Sequence, residues 1–447
     1  MRDVVVVGAG LAGLSAAWKL QEYDIEVIEY ADRTGGRIHS EKRGDYWLNW
    51  GGHVYAGEGS ATDNLFKSVG VSAEPVPGTL SAMSLNGKLL LNGRVEFYPF
   101  RVPMSWKSRI SLLFAGAKVR LAVMKYGKAA EHRKGETYFE YQQRILEFMN
   151  DKTFSEFTGD LPEDADAIFR PTVSRSTGNP EEISAGAGIG YFHMIWNKKE
   201  GLSRNIIGGP SVLTEKISGA LGERLKLSAK VERVVQYDNY VSVTYIKDGE
   251  RRTIEAEYVI MATPAPITKL IVENFEKDLS QALGEIKYGP HVSAAFLTDE
   301  TDEQVWDDVY AFATPKRSFD IFIHSSNIVH SKSSERKQGS TFMTFSPAAR
   351  GRHLLDKTDE EILEMYLKDL NEILPGFEEK VIEAKVEKFP LGSAYVYPGR
   401  AGIQACLTEN KGRIFLAGDY LGTLYTETAV QTGFKASDEI EQLLERK

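Results

Sequence analysis

Residues 4–37 read VVVVGAGLAGLSAAWKLQEYDIEVIEYADRTGGR. Four consecutive valines suit a strand buried on both faces, as a parallel sheet requires. Gly8, Gly10 and Gly13 follow at G-x-G-x-x-G spacing and lead into an Ala-rich amphipathic segment over residues 14–20. The first glycine permits a tight turn, the second lets backbone approach a pyrophosphate, and the third lets helix and strand pack closely. Phosphates would then meet free N–H groups at the positive end of a helix, so Gly8, Gly10, Ala12 and Gly13 are candidate contacts. A second apolar strand over residues 25–28 ends in Glu29, sixteen residues after Gly13, where a carboxylate can accept ribose hydroxyls. A lone glycine motif is weak evidence. The order strand, turn, helix, strand, acid is strong.

The stretch Arg33-Thr34-Gly35-Gly36-Arg37 places a glycine pair and an arginine directly after the acid. The glycines let backbone run under phosphates, and the guanidinium can neutralise a pyrophosphate oxygen. The run from Gly8 to Arg37 resembles the FAD-binding signature of the flavin amine oxidase superfamily, which includes monoamine and polyamine oxidases, protoporphyrinogen oxidase and carotenoid-type desaturases. The resemblance implies an α/β fold: a Rossmann-like FAD/NAD(P)-binding domain of the glutathione-reductase type with a β-meander, plus an interleaved α+β substrate domain. It extends over three separated pieces, so the FAD domain is expected to be discontinuous (1–72, 205–285 and 388–447). Residues 73–204 and 286–387 would form the substrate domain.

Composition bounds the alternatives. At 447 residues, with 42% apolar and 26% charged residues, the chain can build two ordinary globular cores. A net charge of −9 argues against a nucleic-acid partner. The single cysteine, Cys406, excludes an intramolecular disulfide, and the eight histidines show no metal-ligand spacing, so no metal is expected. No segment reaches the roughly 18 apolar residues of a membrane span. The apolar start of the chain is better explained by the nucleotide turn than by a leader, and the expectation is a cytoplasmic protein.

Further along, Gly51-Gly52-His53 follows a short strand. In the family the matching glycine pair brings backbone against the flavin, and His53 is either a cofactor contact or a hydrogen-bonded buried histidine. Two Asn-Gly pairs, 86–87 and 92–93, signal hairpins. Residues 103–128 read as a helix with Trp106, Ile110, Leu113, Phe114, Ala117 and Leu121 on one face and Lys107, Arg109, Lys118, Arg120, Lys125 and Lys128 on another. The expectation is that the apolar face is core and the basic face solvated. Peripheral contact with an anionic membrane is the alternative. Glycines 186, 188 and 190 suggest close backbone approach beside the substrate cavity. A Gly-Gly helix start at 208 precedes three strands, 226–236, 240–247 and 251–260, that form a meander. The resemblance puts Val231 near the adenine and returns the chain to the nucleotide sheet at Ala262.

The C-terminal part repeats the anion-friendly grammar. Residues 412–419 are an apolar strand ending in Gly418-Asp419, and the last helix begins near Tyr425, with Thr428, Ala429 and Val430 in its first turns. In the family, Gly-Asp holds the ribityl–phosphate region and the helix start faces the flavin, where its dipole stabilises reduced flavin.

Such enzymes transfer a hydride from a substrate carbon to flavin N5, and O2 or another acceptor reoxidises the cofactor. Tyr425 matches an aromatic-cage position of monoamine oxidases, and Tyr395 or Tyr397 falls where a second wall would come. Ordinary tyrosine packing is the plain alternative. No cysteine stands at the covalent-flavin position, so the FAD should be noncovalent. Ser293 occupies the place where amine oxidases often carry a lysine. The leading reading is therefore FAD-dependent oxidation of a small-molecule amine. The alternatives are a C–C desaturase or protoporphyrinogen-oxidase-like enzyme on a hydrophobic substrate, and a non-redox module like the GDP-dissociation inhibitors. Substrate identity and oligomeric state stay open.

Overall fold

The computed structural model describes residues 1–78, 82–93, 97–196, 203–333, 335–423 and 425–446. The four valines form the strand Arg2–Val7 at the centre of a seven-stranded sheet, with residues 4–7 all buried. Val4 and Val6 pack into the helical layer, whereas Val5 and Val7 pack under the meander. A strand covered on both faces needs this unbroken apolar run. Its neighbours Ile25–Ile28 and Glu250–Met261 run parallel to it, with Val4 opposite Ile25 and Tyr258. Ala229–Gln236, Val241–Lys247 and Glu250–Met261 form the expected antiparallel meander, and Ile414–Leu416 closes the sheet beside Glu250–Met261. The fold is the Rossmann-like α/β arrangement that the glycine turn implies.

The turn itself shows why its glycines are needed. Gly8 has φ +102, and a Cβ there would stand 2.9 Å from the Ala262 carbonyl. A Cβ on Gly13 would run into the Gly8 carbonyl, which fixes the first helix, Leu11–Lys19, against the strand. That helix also packs on the last one, Tyr425–Glu445, where Ser437 Oγ donates to Ala16 O at 3.2 Å.

A second seven-stranded sheet takes Val381–Ala394, Tyr288–Thr298, Thr341–Pro347, Ile321–His324, Ala311–Ala313, Ala82–Leu85 and Lys88–Leu90 in that order. Asn86-Gly87 closes the last pair as a two-residue hairpin, both residues at positive φ. The other Asn-Gly pair leads into residues 94–96, which lie outside the described residues. The fourteen-residue strand Val381–Ala394 passes through position 388 without a break. It is clamped to the first nucleotide segment along its length. Glu387 accepts from Arg33 (2.7 Å) and pairs with His39 (2.5 Å), Glu383 pairs with Arg43, and Trp50 Nε1 donates to Lys385 O.

Two sequence expectations need correction. Gly186, Gly188 and Gly190 sit inside the helix Ala185–Trp196. Their missing side chains admit Phe148 backbone, the Phe154 ring and the Tyr126 ring, so they serve helix packing rather than the cavity. The helix Trp106–Ala129 forms as expected, but its predicted core face is not core. It buries Leu112, Ala115, Val119, Ala122, Val123 and Tyr126 instead. The helix has two apolar faces, and the one carrying Leu112, Val119 and Tyr126 packs against the neighbouring helices.

We expect Gly13→Val to lower stability by about 1–3 kcal/mol, the usual cost of forcing extra carbon into a filled site. The midpoint of chemical denaturation checks this.

Candidate active site

A cavity of about 1880 Å³ runs from the first glycine turn to the interior face of the second sheet. Single small-molecule pockets usually span roughly 300–1,000 Å³, so this one has room for a dinucleotide and a second molecule. At one end, Gly10 precedes the first helix with no side-chain cap, and a Cβ there would meet no protein atom within 4 Å. The backbone is bare toward the cavity where a phosphate would lie, and the first-turn N–H groups lack intrahelical partners. Glu29 stands at the end of Ile25–Ile28, its carboxylate accepting from Ala9 N (2.6 Å) and Ala31 N (2.8 Å). Val231 lines the same end at a bulge in its strand, and Ala262 lies under the turn, its N–H donating to Val7 O. These positions together fit an adenosine–pyrophosphate.

Arg37 behaves differently from the sequence expectation. Its guanidinium grips Asp419 in a fork, with Nη1 at 2.8 Å and Nη2 at 2.9 Å, and Nη1 also reaches the Gly392 carbonyl at 3.3 Å. The ion pair outweighs desolvation and raises the Arg37 pKa above its already high ordinary value. What exposure Arg37 keeps opens into the cavity that it and Asp419 both line. Arg37 is thus not a free pyrophosphate counter-charge; a carboxylate geometry that matches its planar fork holds it.

Around this pair the backbone is closely layered. Gly52 N donates to Arg37 O at 2.9 Å, and a Cβ on Gly51 would run into that same carbonyl. Gly35, Gly36, Gly51, Gly52 and Gly418 all present backbone to the cavity. His53 also lines it. Its Nδ1 lies 2.9 Å from Gly51 O, and burial lowers its pKa, so it is a neutral hydrogen-bonded imidazole. From the last helix, Tyr425 and Ala429 face the cavity. Thr428 and Val430, also expected there, are fully buried and do not line it. Gly13 does not line the cavity and packs closely on the Gly8 carbonyl.

Tyr425 is the unusual member. It holds φ +42, a left-handed conformation that is costly for a bulky residue and that clusters at functional sites. Its ring stacks on Tyr191 with centroids 5.9 Å apart and planes 24° off parallel. Burial raises its pKa well above the ordinary value, which keeps the phenol neutral. Tyr395 and Tyr397 do not join it. Tyr395 is packed among the helices beside Gly178, and Tyr397 carries the Lys287 ammonium over its ring at 4.4 Å. Neither lines the cavity, because the chain leaves it at Ser393.

Two site residues carry no sequence signal. His291, not Ser293, is the residue of Tyr288–Thr298 that lines the cavity, and it directly follows a bulge between Gly289 and His291. Burial and the nearby Arg37 charge push its pKa down to about 3, and neither ring nitrogen has a partner. Arg175 lies in a short helical turn, Ser174–Ser176, and lines the cavity. Its Nε is buried without a hydrogen-bond partner, and its charge acts on Tyr425, Tyr310 and His53. Among the described residues no cluster fit to hold a metal is present.

Fold and cavity together define a protein of two interleaved parts built to hold a dinucleotide beside a second molecule. The profile of the flavin containing amine oxidoreductases matches residues 11–441, and the chain belongs to that family. It is an FAD-dependent oxidoreductase, which sets aside the non-redox binding module. A probable flavin-containing monoamine oxidase A of Dictyostelium discoideum is 25% identical over 99% of this chain and 98% of its own length. The 15-cis-phytoene desaturase of Narcissus pseudonarcissus is 24% identical over 98% of this chain and 79% of its own length. A putrescine oxidase structure superposes with TM-score 0.78 at 18% identity, covering 99% of both chains. The cyclohexylamine oxidase of Brevibacterium oxydans superposes with TM-score 0.77, also at 18% identity and 99% coverage of both chains.

Buried histidines give the protein a defined acid sensitivity. His291 and His324 titrate near 3 in the folded chain against about 6.5 when unfolded. Between those values the unfolded state binds more protons, so stability is full above about pH 6.5 and falls as pH drops toward 3. Melting temperatures from pH 7.5 to 4.5 should show this decline, and His324→Leu should flatten it.

Proposed function

We propose that this chain holds FAD noncovalently along the cavity and oxidises an amine at a carbon–nitrogen bond, with O2 or another acceptor taking the electrons. Tyr425 carries the reading: a neutral aromatic ring, held in a strained backbone conformation and braced by Tyr191, forms a cavity wall where the last helix begins. Such a ring packs against an uncharged amine and orients its nitrogen. The bound flavin supplies the two-electron acceptor.

The residues divide the work. Gly8, Gly10 and Ala12 would hold the pyrophosphate, Glu29 the ribose, and Val231 and Ala262 the adenine side. Gly35, Gly36, Gly51, Gly52, His53, Gly418, Asp419 and Ala429 would line the remainder, with Arg37 fixing Asp419. No described cavity-lining residue is a cysteine, which supports noncovalent attachment. His291 offers an unprotonated nitrogen that can order a water or accept a hydrogen bond.

The only described carboxylates in the cavity wall are Glu29 and Asp419. The first bonds two backbone N–H groups and the second holds Arg37. None is left for a substrate ammonium, and the Arg175 charge repels one. The amine therefore binds as its free base, and kcat/KM should rise with pH along the deprotonation of the substrate's own nitrogen. Tyr425→Ala should keep the flavin spectrum while lowering kcat/KM by about 10–100-fold through lost orientation.

A second reading, C–C desaturation of a hydrophobic substrate, draws support from the same absence of a carboxylate and from the apolar wall of Leu112, Phe169, Phe192, Ile323 and Met343. Anaerobic mixing of the purified flavoprotein with a panel of amines separates the two. Bleaching by an amine, with hydrogen peroxide on readmitting air, supports amine oxidation. A flavin spectrum unmoved by every amine favours desaturation.

A further inference from the structure

The helix Trp106–Ala129 turns an apolar face to solvent. Trp106 is 77% exposed, Phe114 76%, Leu121 62%, Met124 60% and Ile110 53%. With Leu113 and Ala117 they fall in a stripe about 100° wide at 3.6 residues per turn. Phe97 and Phe100, just before the helix, are also more than half exposed. Scattered exposed apolar residues are ordinary, but a continuous aromatic and aliphatic stripe marks an interaction surface.

The charges around it have one sign. Residues 97–130 contain Arg101, Lys107, Arg109, Lys118, Arg120, Lys125 and Lys128 and no acidic residue, in a chain whose net charge is −9. On the helical wheel, Lys107, Lys118 and Lys125 follow one margin of the stripe, and Arg109 and Arg120 follow the other. None of the seven forms an ion pair with a described residue, although the chain has 63 acidic residues. Instead, Arg109 caps the Pro99 carbonyl, Lys118 donates to Phe157 O, and Arg120 lies over the Trp196 ring. An apolar strip with basic edges complements an anionic lipid surface: acyl chains take the strip, and phosphates take the edges. A second copy of this chain is a poor occupant, because a two-fold interface would set the basic margins against each other.

The strip also meets the cavity. Leu113, Ala117 and Arg120 belong to the exposed face and to the cavity wall, where they are joined by Ile195 and Trp196 at the end of Ala185–Trp196. We propose that this face docks on an anionic bilayer, with the helix lying in the interface, so that the cavity mouth opens toward lipid. No described helix is long and apolar enough to cross a membrane, which makes this contact peripheral. A substrate dissolved in the bilayer would then enter along Leu113 and Ala117 without passing through bulk water. The inference holds for either bond that the site oxidises.

The test is co-sedimentation of the flavin-loaded protein with vesicles of phosphatidylcholine alone or mixed with phosphatidylglycerol. Binding to the mixed vesicles that weakens as salt rises is the expected result. The double variant Trp106→Glu/Phe114→Glu should keep the flavin absorbance and lose vesicle binding by about tenfold or more. Both side chains are largely solvent-exposed, and should that variant fail to fold, Lys107→Glu/Lys125→Glu should show the same loss. Absence of binding to either vesicle overturns the proposal. So does equal binding to both that neither variant changes. A wild-type dimer by light scattering that the Trp106→Glu/Phe114→Glu variant splits, without vesicle binding, assigns the face to a protein contact and also overturns it.

Discussion

The forked ion pair between Arg37 and Asp419 ties together parts of the chain that lie 382 positions apart. Arg37 belongs to the first nucleotide segment, Asp419 follows the last strand of the first sheet, and Gly392, whose carbonyl Arg37 also reaches, belongs to the second sheet. Three pieces of backbone therefore meet at one guanidinium. Taking two charges out of water is costly, and only the two-point geometry with a third acceptor offsets it. Losing either partner would leave a charge without its counter-ion at the junction of both sheets. The cavity wall depends on this contact, since the glycine-lined backbone on either side is positioned by the residues it joins.

Much of this was legible in the sequence because close approach of backbone leaves a chemical trace. Gly8 and Gly13 are required by contacts that a Cβ would violate, and the valine run by a strand with two covered faces. The meander was legible because alternation and turn residues coincide. The helix Trp106–Ala129 was legible as a helix but not in its orientation. Periodicity reports that a stripe is apolar, not what covers it, and the opposite face, with Tyr126 seated against Gly190, is the one that packs on the helix Ala185–Trp196. His291 and Arg175 were illegible for a related reason. One follows a bulge and the other lies in a short turn, and neither position leaves a spacing that a reader could count.

The site combines a preformed nucleotide end with a substrate end of a different character. Near the first turn, backbone N–H groups and bare glycines make a surface that any dinucleotide can use. Toward Tyr425 the wall becomes largely aromatic and aliphatic, and its polar groups include an unpartnered guanidinium nitrogen and the uncharged imidazole of His291. A wall with no free carboxylate favours substrates that arrive without positive charge, and this unites the amine and alkene readings more closely than their chemistry suggests.

The strand Val381–Ala394 has a mechanical consequence. It runs unbroken from the outer edge of the second sheet to the cavity and is bolted to the first nucleotide segment through Glu383, Lys385 and Glu387. A beam fixed at several points along its length resists rotation of one sheet against the other. Traffic into the cavity then passes at its rim, where residues of the helices Trp106–Ala129 and Ala185–Trp196 line it. The rate of exchange would then be governed by side-chain rearrangement at that rim rather than by domain motion, and by whatever medium lies against it.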